Sequence, residues 1–424
     1  MRKETRPELL SPAGNLACLK AAVAAGCDAV YFGGQAFNAR QNAGNFSREE
    51  IREAVAFCTF HGVKTYLTLN TLVKEKEWPL LAAYLRETLS LGISAVIVQD
   101  PGVAELVRTL FPETELHAST QMDNRTVEKV RFLADAGFRQ VVLARELSVN
   151  EISRMHAACP DTLLEVFIHG ALCVSYSGQC YVSEACFGRS ANRGECAQFC
   201  RLQFDMTDAD GKVIEKGKHL LSLKDMNQSD NLEELLDAGA SSLKIEGRLK
   251  DVSYVKNVTA YYRQKLDALF KRRKEYVRAS SGSVKLAFRP QLDKSFSRGF
   301  TDYFAHGRNP GIFSFNTPKS LGEEVGTVKE IRGNYLTVAG VKAFSNGDGL
   351  CYLDAQGRLQ GFRVNRVENN KLFPQEMPRI KPKTVLYRNF DQEFDRIMQK
   401  KSAERKLAVD VSLAENNFGF TLTM

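Results

Sequence analysis

Cysteine is the residue type whose spacing in this chain points most directly to chemistry. The chain has ten cysteines in 424 residues, and five of them fall in the window 173–200. Four are spaced as Cys173-x6-Cys180-x15-Cys196-x3-Cys200, and Cys186 lies between the second and the third. In a reducing compartment, clustered cysteines are more often metal ligands or catalytic groups than disulfide partners. We therefore expect a metal or redox centre in this window.

The spacing favours an iron–sulfur cluster, with zinc and buried free thiols as alternatives. An iron–sulfur cluster needs four thiolates from a loop that also donates N–H groups to sulfur. Small neighbours such as Gly178 and Gly194 suit such a loop. Structural zinc sites usually contain two short Cys-x2–4-Cys pairs, and only Cys196 and Cys200 have that spacing. Cys186 is a spare ligand, a redox thiol or a bystander.

The remaining cysteines are predicted to be small core residues, because they lie in helical or strand patterns. They are Cys18, Cys27, Cys58, Cys159 and Cys351.

The elements that would position the cysteines repeat as a short apolar strand followed by a helix, from Pro7 to about Phe270. This alternation predicts a parallel sheet with crossover helices. A run of this length without the glycine fingerprint of a dinucleotide fold favours a closed (β/α) barrel of the TIM type. Nine strand candidates compete for eight places, so one is an extra segment. The predicted barrel domain covers residues 1–275.

One strand of the predicted barrel, which ends at Gly170, is followed by no long helical pattern. The next segment, residues 171–219, is rich in Cys, Gly, Ser, Asn and Arg and contains the four spaced cysteines. A long irregular stretch inside a compact domain is usually functional or disordered, and its cysteine and aromatic content argues against disorder. We call residues 171–219 the cluster loop.

Polar side chains follow the ends of the predicted strands, where barrel enzymes place their active sites. Some of them, such as Asp100 before Pro101, can instead cap the next helix. Lys244 and Glu246 alternate on one strand face, and a charged pair is costly against apolar helices, so we expect that face to point into the barrel. His169, directly before the cluster loop, is a catalytic or a hydrogen-bonded structural histidine. The full set of strand-end residues is Asn70, Asp100, Thr120, Gln121, Arg145, Glu146, His169, Lys224, Asp225, Glu246 and Arg248.

Beyond the barrel the pattern changes to short alternating strands with glycine turns, at Glu324–Ile331, Tyr335–Ala339, Gly349–Leu353 and Leu359–Val367. These predict a small antiparallel β-barrel domain over residues 283–385. A charged helix, roughly Asp391–Arg405, and renewed alternation follow in residues 386–424. Because the chain stops within that alternation, this part is expected to be the start of a further, truncated domain.

The overall composition limits the class of protein. No apolar run approaches the ~20 residues that cross a bilayer, and the first residues are charged, so we expect a soluble cytoplasmic protein without a membrane span. The formal net charge of +8 is compatible with a nucleic-acid partner but does not establish one.

Three sequence motifs resemble those of one protein family. They are the segment Glu165–Ser183 with its Gly170-Ala171-Leu172-Cys173 core, the opening Glu8–Gly14 and the later Ser242–Arg248. Together they are similar to the signature of peptidase family U32, the collagenase-like peptidases. Several members of that family are understood as iron–sulfur hydroxylation proteins.

The chain is most similar to those members that hydroxylate ribosomal RNA, and this likeness extends past the barrel. The segments that carry it are His117–Gln121, Arg189–Gly194, Lys218–Ser222, Asp251–Asn257, Ala279–Gly282, Arg298–Tyr303 and Ala343–Gly349.

The resemblance implies a 4Fe–4S cluster on Cys173, Cys180, Cys196 and Cys200, with Cys186 outside the ligand set. It also implies that 5-hydroxycytidine is formed in 23S ribosomal RNA or its precursor, with prephenate as cosubstrate. A ring carbon that lacks activation needs a cofactor for the oxidising step. The sequence does not identify the electron donor.

Roles for the strand-end residues follow from this hypothesis. Arg145 and Arg248, with Lys244, would bind an anionic cosubstrate. Glu246, His169 and Lys244 are the candidate catalytic groups for proton transfer. Substrate binding is also assigned to Gln121 and Asn70.

Other functions remain open from the residues alone. Relatives with the same four cysteines act on transfer RNA or on a quinone precursor, and a non-enzymatic RNA-binding protein with a structural cluster is a further possibility. A peptidase is disfavoured, because the sequence has no His-Glu-x2-His motif and its thiols are better used as ligands.

Overall fold

The computed structural model describes residues 5–40 and 43–423. Eight parallel strands form a closed barrel, because the last strand pairs with both the first and the seventh. The predicted (β/α) barrel is therefore confirmed. Its strands are Glu8–Pro12, Ala29–Phe32, Lys64–Leu69, Ala95–Val98, Glu115–Ala118, Gln140–Val142, Leu163–Ala171 and Ala240–Ile245.

Helices cover the outside of this first barrel, and the main apolar core lies between them and the strands. Several helices begin at the residue types that cap helices, such as Asn15, whose side chain accepts a hydrogen bond from the backbone N–H of Cys18. The helices are Leu16–Ala24, Arg48–Phe60, Trp78–Leu89, Pro101–Leu110, Val127–Asp135, Val149–Ala158, Leu232–Asp237 and Val252–Arg272.

Of the nine strand candidates, the segment 220–225 is the one that does not form a strand of the barrel. Instead, a short strand, Asp225–Asn227, pairs antiparallel with the end of the seventh barrel strand and parallel with Phe300–Thr301. The cluster loop contains one short helix, Val182–Phe187, and a hairpin of Phe204–Thr207 with Val213–Lys218. The expectation that it contains no long helix is confirmed, whereas the hairpin was not predicted.

A second closed barrel, antiparallel and six-stranded, follows the first. Four of its strands were predicted, and two, Lys371–Pro374 and Val385–Phe390, were missed. The other four are Glu323–Arg332, Tyr335–Ala339, Gly349–Leu353 and Leu359–Glu368.

The predicted helix Asp391–Arg405 is wrong in its second half. The helix spans only Gln392–Met398, and Ala403–Lys406 is a strand paired antiparallel with Ser283–Leu286. Strand pairing with a segment over a hundred residues away overrides the local helical pattern. The final alternating segments form a hairpin of Ser412–Asn416 with Gly419–Thr423.

Two further expectations can be compared with the structure. The five cysteines assigned to the core are all buried, as predicted. None of the helices in the described parts of the chain is long and apolar enough to span a bilayer. Part of the charged N-terminal segment, residues 1–4, lies outside the described residues.

Candidate active site at the barrel mouth

A pocket opens at the carboxyl ends of the strands of the first barrel. Seven of the residues named from the sequence line it, which places them on one surface although they come from four strands. Six were predicted from strand-end position, Asn70, Thr120, Gln121, Arg145, Glu246 and Arg248, and the seventh is Lys244.

Glu246 is the carboxylate of this pocket and is held between two arginines. Its Oε2 accepts a hydrogen bond from Arg145 Nη2 at 3.0 Å, and its Oε1 lies 3.7 Å from Arg40 Nη2. Burial alone would raise the pKa of Glu246, but Arg40, Arg145, Arg248 and Lys244 outweigh it, and the pKa lies below its usual value. Glu246 is therefore ionised at neutral pH and can accept a proton.

Arg248 is the most enclosed cation of the pocket, with 4% of its surface exposed. Its guanidinium donates to Thr68 Oγ1 at 2.9 Å and to Asn38 Oδ1 at 3.3 Å. Burial first, and then Arg40, lower the pKa of Arg248 to about 10. Across residues 5–40 and 43–423, Arg248 makes no ion pair within 4.0 Å. A buried cation without a carboxylate partner is suited to binding an anion.

Lys244 shares its strand face with Glu246, as the alternation predicted, and both side chains line the pocket. Lys244 Nζ lies 2.6 Å from Glu165 Oε1 and 4.4 Å from the centre of the Tyr31 ring. Arg145 stacks on Phe167, with 3.7 Å from its guanidinium carbon to the ring centre. Aromatic faces and a carboxylate therefore fix the orientation of these cations.

Asn70 and Gln121 anchor loops at the rim of the pocket. The Oδ1 atom of Asn70 accepts the backbone N–H of Ala39 at 3.1 Å, which fixes the segment that carries Arg40. The cluster loop touches the backbone of Gln121 at Gly178, whose φ is +77°, and a Cβ there would lie 2.2 Å from the Gln121 oxygen. Only glycine permits this close approach of the loop to the pocket.

His169 does not lie among the residues that line the pocket. The pairing register shifts between Lys244/Phe167 and Ile245/His169, so a bulge turns His169 towards the helix layer. There its Nδ1 lies 3.3 Å from the hydroxyl of Tyr262. Burial, followed by Lys250, lowers the pKa of His169 to about 3, so the ring is neutral. Its position does not support the predicted proton-transfer role.

The four spaced cysteines are near neighbours in the cluster loop. Burial raises the pKa of the half-buried Cys200 thiol, and Arg201 opposes that effect. The side chains of Cys173, Cys196 and Cys180 raise the pKa further, because their charges lie close to the same thiol. The fold thus brings together cysteines that are 27 positions apart in sequence.

The cysteines also lie next to the cations of the pocket. Partial burial of the Cys173 thiol raises its pKa, although the residue as a whole is exposed. The positive charge of Arg145 acts in the opposite direction and lowers that pKa. Glu246 acts most strongly to raise the pKa of Arg40, and Cys196 and Cys173 add to the rise. The cluster loop and the pocket therefore form one site.

The residues of the loop can be compared with what an iron–sulfur cluster requires. The backbone N–H of Gln198 lies 3.4 Å from Cys196 Sγ, as expected for a donor that stabilises a thiolate. In the described ranges, no group of three or more His, Cys, Asp and Glu side chains is arranged to hold a metal ion. Each thiolate of a four-iron cluster binds a different iron, so its ligands need not converge as closely as those of zinc. The residues present are compatible with such a cluster.

Polar contacts join the two ends of the loop to each other and tie the loop to the barrel. Arg201 donates to Ser222 Oγ at 2.9 Å and to the Leu172 oxygen at 3.0 Å. The backbone N–H of Ser177 donates to Glu146 Oε1 at 3.0 Å. Glu146, one of the residues predicted from strand-end position, therefore holds the loop.

Sequence reasoning missed Arg40 and Tyr31 as pocket residues. Tyr31 lies within a strand whose residues are all buried, so no alternation marked its inward face. Arg40 lies eight positions after the end of the same strand, Ala29–Phe32. A search of whole loops after each strand, rather than of strand ends alone, would have found it.

A comparison with family models decides the classification of the chain. The model described as Peptidase family U32 matches residues 14–312. The chain belongs to peptidase family U32.

Two curated relatives of this U32 protein are named for RNA hydroxylation. It is 48% identical over 417 residues to the 23S rRNA 5-hydroxycytidine synthase of Escherichia coli, covering 96% of this chain and 63% of that protein. It is 37% identical over 333 residues to a tRNA hydroxylation protein of Bacillus subtilis, covering 76% of this chain and 77% of that protein. The chain thus spans 63% of the length of the Escherichia coli relative.

Other U32 relatives carry different names. The chain is 33% identical over 321 residues to a collagenase of Porphyromonas gingivalis, covering 72% of this chain and 74% of that protein. A solved structure of a U32 peptidase aligns with a TM-score of 0.39 at 13% identity, over 58% of this chain and 96% of that chain.

Proposed function

We propose that this U32 protein is an iron–sulfur-dependent RNA hydroxylase that forms 5-hydroxycytidine in 23S ribosomal RNA or its precursor. The observation that carries the proposal is the contact between the four-cysteine loop and a cation-rich pocket at the barrel mouth. The 48% identity to an rRNA 5-hydroxycytidine synthase supports this substrate. Ribosomal RNA as substrate places the enzyme in the cytoplasm.

In the proposed enzyme, Cys173, Cys180, Cys196 and Cys200 hold a 4Fe–4S cluster. The bound cluster supplies the redox capacity that side chains lack. Next to the half-buried Cys200, the hydrogen bonds of Arg201 to Leu172 and Ser222 hold the two ends of the loop together.

The cations of the pocket bind the anionic cosubstrate, which we propose is prephenate. Arg248 is the principal anchor, because it is buried and makes no ion pair within the described part of the chain. Arg145 adds a second guanidinium, which Phe167 and Glu246 hold in place. Two guanidinium groups match the two carboxylates of such a compound.

The RNA base enters from the mouth and lies against polar side chains at the rim. Base chemistry requires an unstacked nucleotide, and Asn70 and Gln121 can donate to or accept from its edge. Glu246, ionised beside Arg145 and Arg40, accepts a proton during the reaction. Lys244 is the candidate proton donor. His169 is not assigned a role in proton transfer, because it faces Tyr262 rather than the pocket.

Two measurements test the proposal. Anaerobic purification with quantitation of iron and acid-labile sulfide should give four of each per chain. Mass spectrometry of ribosomal RNA from cells that depend on this gene should show 5-hydroxycytidine with the wild type and none with Cys173→Ala. Cys186→Ala is the matched control and should retain both iron and product. Normal 5-hydroxycytidine with Cys173→Ala would contradict the proposal.

A second candidate substrate is transfer RNA, which is supported by the likeness to a tRNA hydroxylation protein. The same site would then act on carbon 5 of a uridine. Mass spectrometry of both RNA pools from the same cells separates the two substrates. A quinone precursor would appear instead as a change in the quinone pool. A peptidase is the least supported reading, since the pocket is lined by neither histidine nor cysteine among the described residues.

A further inference from the structure

Below the pocket, the interior of the first barrel contains buried ionisable side chains that the proposed function does not use. Glu8, Ser242 and Glu165 lie on three adjacent strands and are registered directly beside one another, as Glu8↔Ser242 and Ser242↔Glu165. Their exposed fractions are 8%, 1% and 0%. Two carboxyl groups in an enclosed interior are costly unless they are paired or protonated.

These groups form a continuous chain of short contacts that begins at the pocket. Lys244 Nζ lies 2.6 Å from Glu165 Oε1, and the second oxygen of Glu165 lies 3.4 Å from Ser242 Oγ. Ser242 Oγ lies 3.0 Å from Glu8 Oε1. Lys244 lines the pocket, whereas Glu8 is the first residue of the first strand. The chain therefore runs from the pocket to the amino-terminal end of the barrel.

One proton shared by the two carboxyls would complete the contacts of the chain, in which Glu165 Oε2 also accepts a hydrogen bond from Gln140 Nε2 at 2.6 Å. The hydroxyl of Ser242 has a single proton but lies within reach of two carboxyl oxygens. If both carboxyls were ionised, one of these two contacts would have no proton. Burial raises the pKa of Glu8 from 4.5 to about 7, with a further rise from Glu165, against the lowering effects of Tyr66, Lys64 and Ser242. Of the two carboxyls, Glu8 is therefore the one placed to carry a proton near neutral pH.

Further titratable groups pack around this end of the chain. Tyr66 donates its hydroxyl proton to Glu8 Oε2 at 2.5 Å, and its ring contacts His117, with 4.7 Å between the ring centres. His117 Nε2 lies 3.6 Å from Glu115 Oε2. Lys64 and Glu165 supply the nearest other charges that act on Glu8. Asp28 accepts a hydrogen bond from the backbone N–H of Leu9, the residue that follows Glu8. The pKa of the buried Cys27 thiol is raised mainly by burial, and the charge of Glu8 adds to that rise.

The proposed function gives a reason for such a chain, and the inference rests on it. An RNA base that fills the barrel mouth closes the pocket to water. Protons used or released in the pocket then need another route to solvent.

We propose that Lys244, Glu165, Ser242 and Glu8 form a proton path between the pocket and solvent at the amino-terminal end of the barrel. Lys244 gives a proton to an acceptor in the pocket, which breaks one N–H bond. Glu165, protonated from Ser242, restores that bond, and Ser242 takes a proton from the Glu8 carboxyl. Glu8 is finally reprotonated by solvent. At each step one bond to hydrogen breaks and one forms, and no electron is transferred.

The test compares two adjacent serines on the same strand. Ser242→Ala breaks the path. Ser241→Ala removes a hydroxyl that, in the part of the chain the structure describes, donates to the Leu164 oxygen at 3.1 Å and does not contact the path. At saturating substrate, we expect Ser242→Ala to lower turnover at least about tenfold without changing KM. Ser242→Ala should also remove the change in turnover that the wild type shows as the pH passes through neutrality. Ser241→Ala should match the wild type in turnover, in KM and in the pH dependence of the rate.

An infrared measurement on the free protein provides a readout that needs no substrate. The wild type at neutral pH should show the C=O stretching band of one protonated carboxyl, and Glu8→Gln should remove it while keeping the shape of the side chain.

Each outcome decides the proposal. Absence of the band from the wild type overturns the path whatever happens to RNA. A band that is present, combined with a wild-type rate and pH profile for Ser242→Ala, also overturns it. If the wild type shows the band but makes no 5-hydroxycytidine, the proposed function is rejected. The proton path, which rests on that function, is then rejected because the reaction is absent and not because the carboxyl is ionised.

Discussion

The chain contains two closed barrels, and their interiors differ. The parallel barrel has ionisable side chains in its interior, among them Glu8, Glu165 and Lys244. The antiparallel barrel also buries charged side chains, Glu323, Asp348 and Arg388, but these pair with one another. The rest of its core is an apolar cluster of Val325, Val328, Leu336, Val338, Leu350, Tyr352, Val364, Leu372 and Leu386. The two barrels therefore differ in where their buried charges lie: some of those in the first line a pocket, whereas those in the second pair with one another.

Each barrel also has a buried arginine, and the partners of the two differ. Arg388, in the second barrel, lies 3.1 Å from Asp348 and 3.2 Å from Asp391 and also pairs with Glu323. Within residues 5–40 and 43–423, the hydrogen-bonding partners of Arg248 in the first barrel are the neutral side chains of Thr68 and Asn38. A buried charge paired directly with carboxylates contributes to the fold, whereas one without a carboxylate in direct contact marks a place for a ligand.

The largest difference between the barrels should appear on removal of one cysteine from each. Cys200→Ala should abolish iron binding and all detectable 5-hydroxycytidine, because the cluster loses a ligand. Cys351→Ala, buried in the second barrel, should keep full iron content. Iron quantitation and RNA mass spectrometry on both variants measure this. Iron retained at the wild-type level in Cys200→Ala would remove the cluster loop from the proposed site.

Substitution of the paired arginine should affect stability. Arg388→Met leaves Glu323, Asp348 and Asp391 without their shared cation, so we expect a loss of about 3–5 kcal/mol in the unfolding free energy of the second barrel. Denaturant unfolding followed by hydrogen exchange in segments of each barrel locates the effect. If amides of the first barrel lose their protection from hydrogen exchange before those of the second barrel in Arg388→Met, the assignment of Arg388 to the stability of the second barrel is wrong.

Substitution of the unpaired arginine should affect ligand binding instead. Arg248→Met removes a charge-assisted contact to the anionic cosubstrate, which costs about 1.5–3 kcal/mol, or about 10- to 150-fold in affinity. Calorimetric titration with prephenate measures this, and the Arg388→Met protein at low temperature serves as control with unchanged affinity. Equal affinities in wild type and Arg248→Met would show that the anion binds elsewhere.

The smallest effect expected is a pH dependence of opposite sign in the two barrels. The pKa of Glu8 is raised to about 7, so the folded state holds its proton more tightly than the unfolded chain. Stability from this group is therefore full below about pH 4.5 and is lost as pH rises towards 7. In the second barrel, burial opposes ionisation of Glu323 and Asp391, but Arg388 and lysines outweigh it and lower both pKa values. Their contribution is present above the unfolded pKa and is lost as pH falls below about 4.5.

Hydrogen exchange, corrected for its intrinsic pH dependence, can follow both barrels in one sample. Between pH 4.5 and 7 the first barrel should lose stability, on the order of 1–3 kcal/mol, and Glu8→Gln should remove that slope. The second barrel should be flat over the same range. A slope that persists in Glu8→Gln would assign the titration to another group.

Much of the fold and part of the site could be predicted from local patterns. Strand–helix alternation predicted the first barrel, and strand-end position predicted Asn70, Gln121, Arg145 and Arg248 as neighbours. This works because the carboxyl ends of all parallel strands in a barrel meet at one face. Alternation also placed Lys244 and Glu246 on the same face, since successive side chains of a strand point to opposite sides.

The errors occurred where distant pairing decided the local structure. The helix predicted over Asp391–Arg405 ends at Met398, because Ala403–Lys406 pairs with Ser283–Leu286. His169 follows the alternation of its strand in sequence, but the bulge against Ile245 turns it out of the pocket. Neither the pairing nor the bulge has a signal in the residues nearby.

The sequence by itself determined which residues could do chemistry: four cysteines with cluster spacing and polar groups at strand ends. Only the tertiary structure decided which of them share a site and what charge balance they have. Closure of the first barrel brings Glu8 beside Ser242 and Glu165 across its closing strands. That contact joins residues more than two hundred positions apart, and such a contact depends on strand register around the whole barrel rather than on any local pattern.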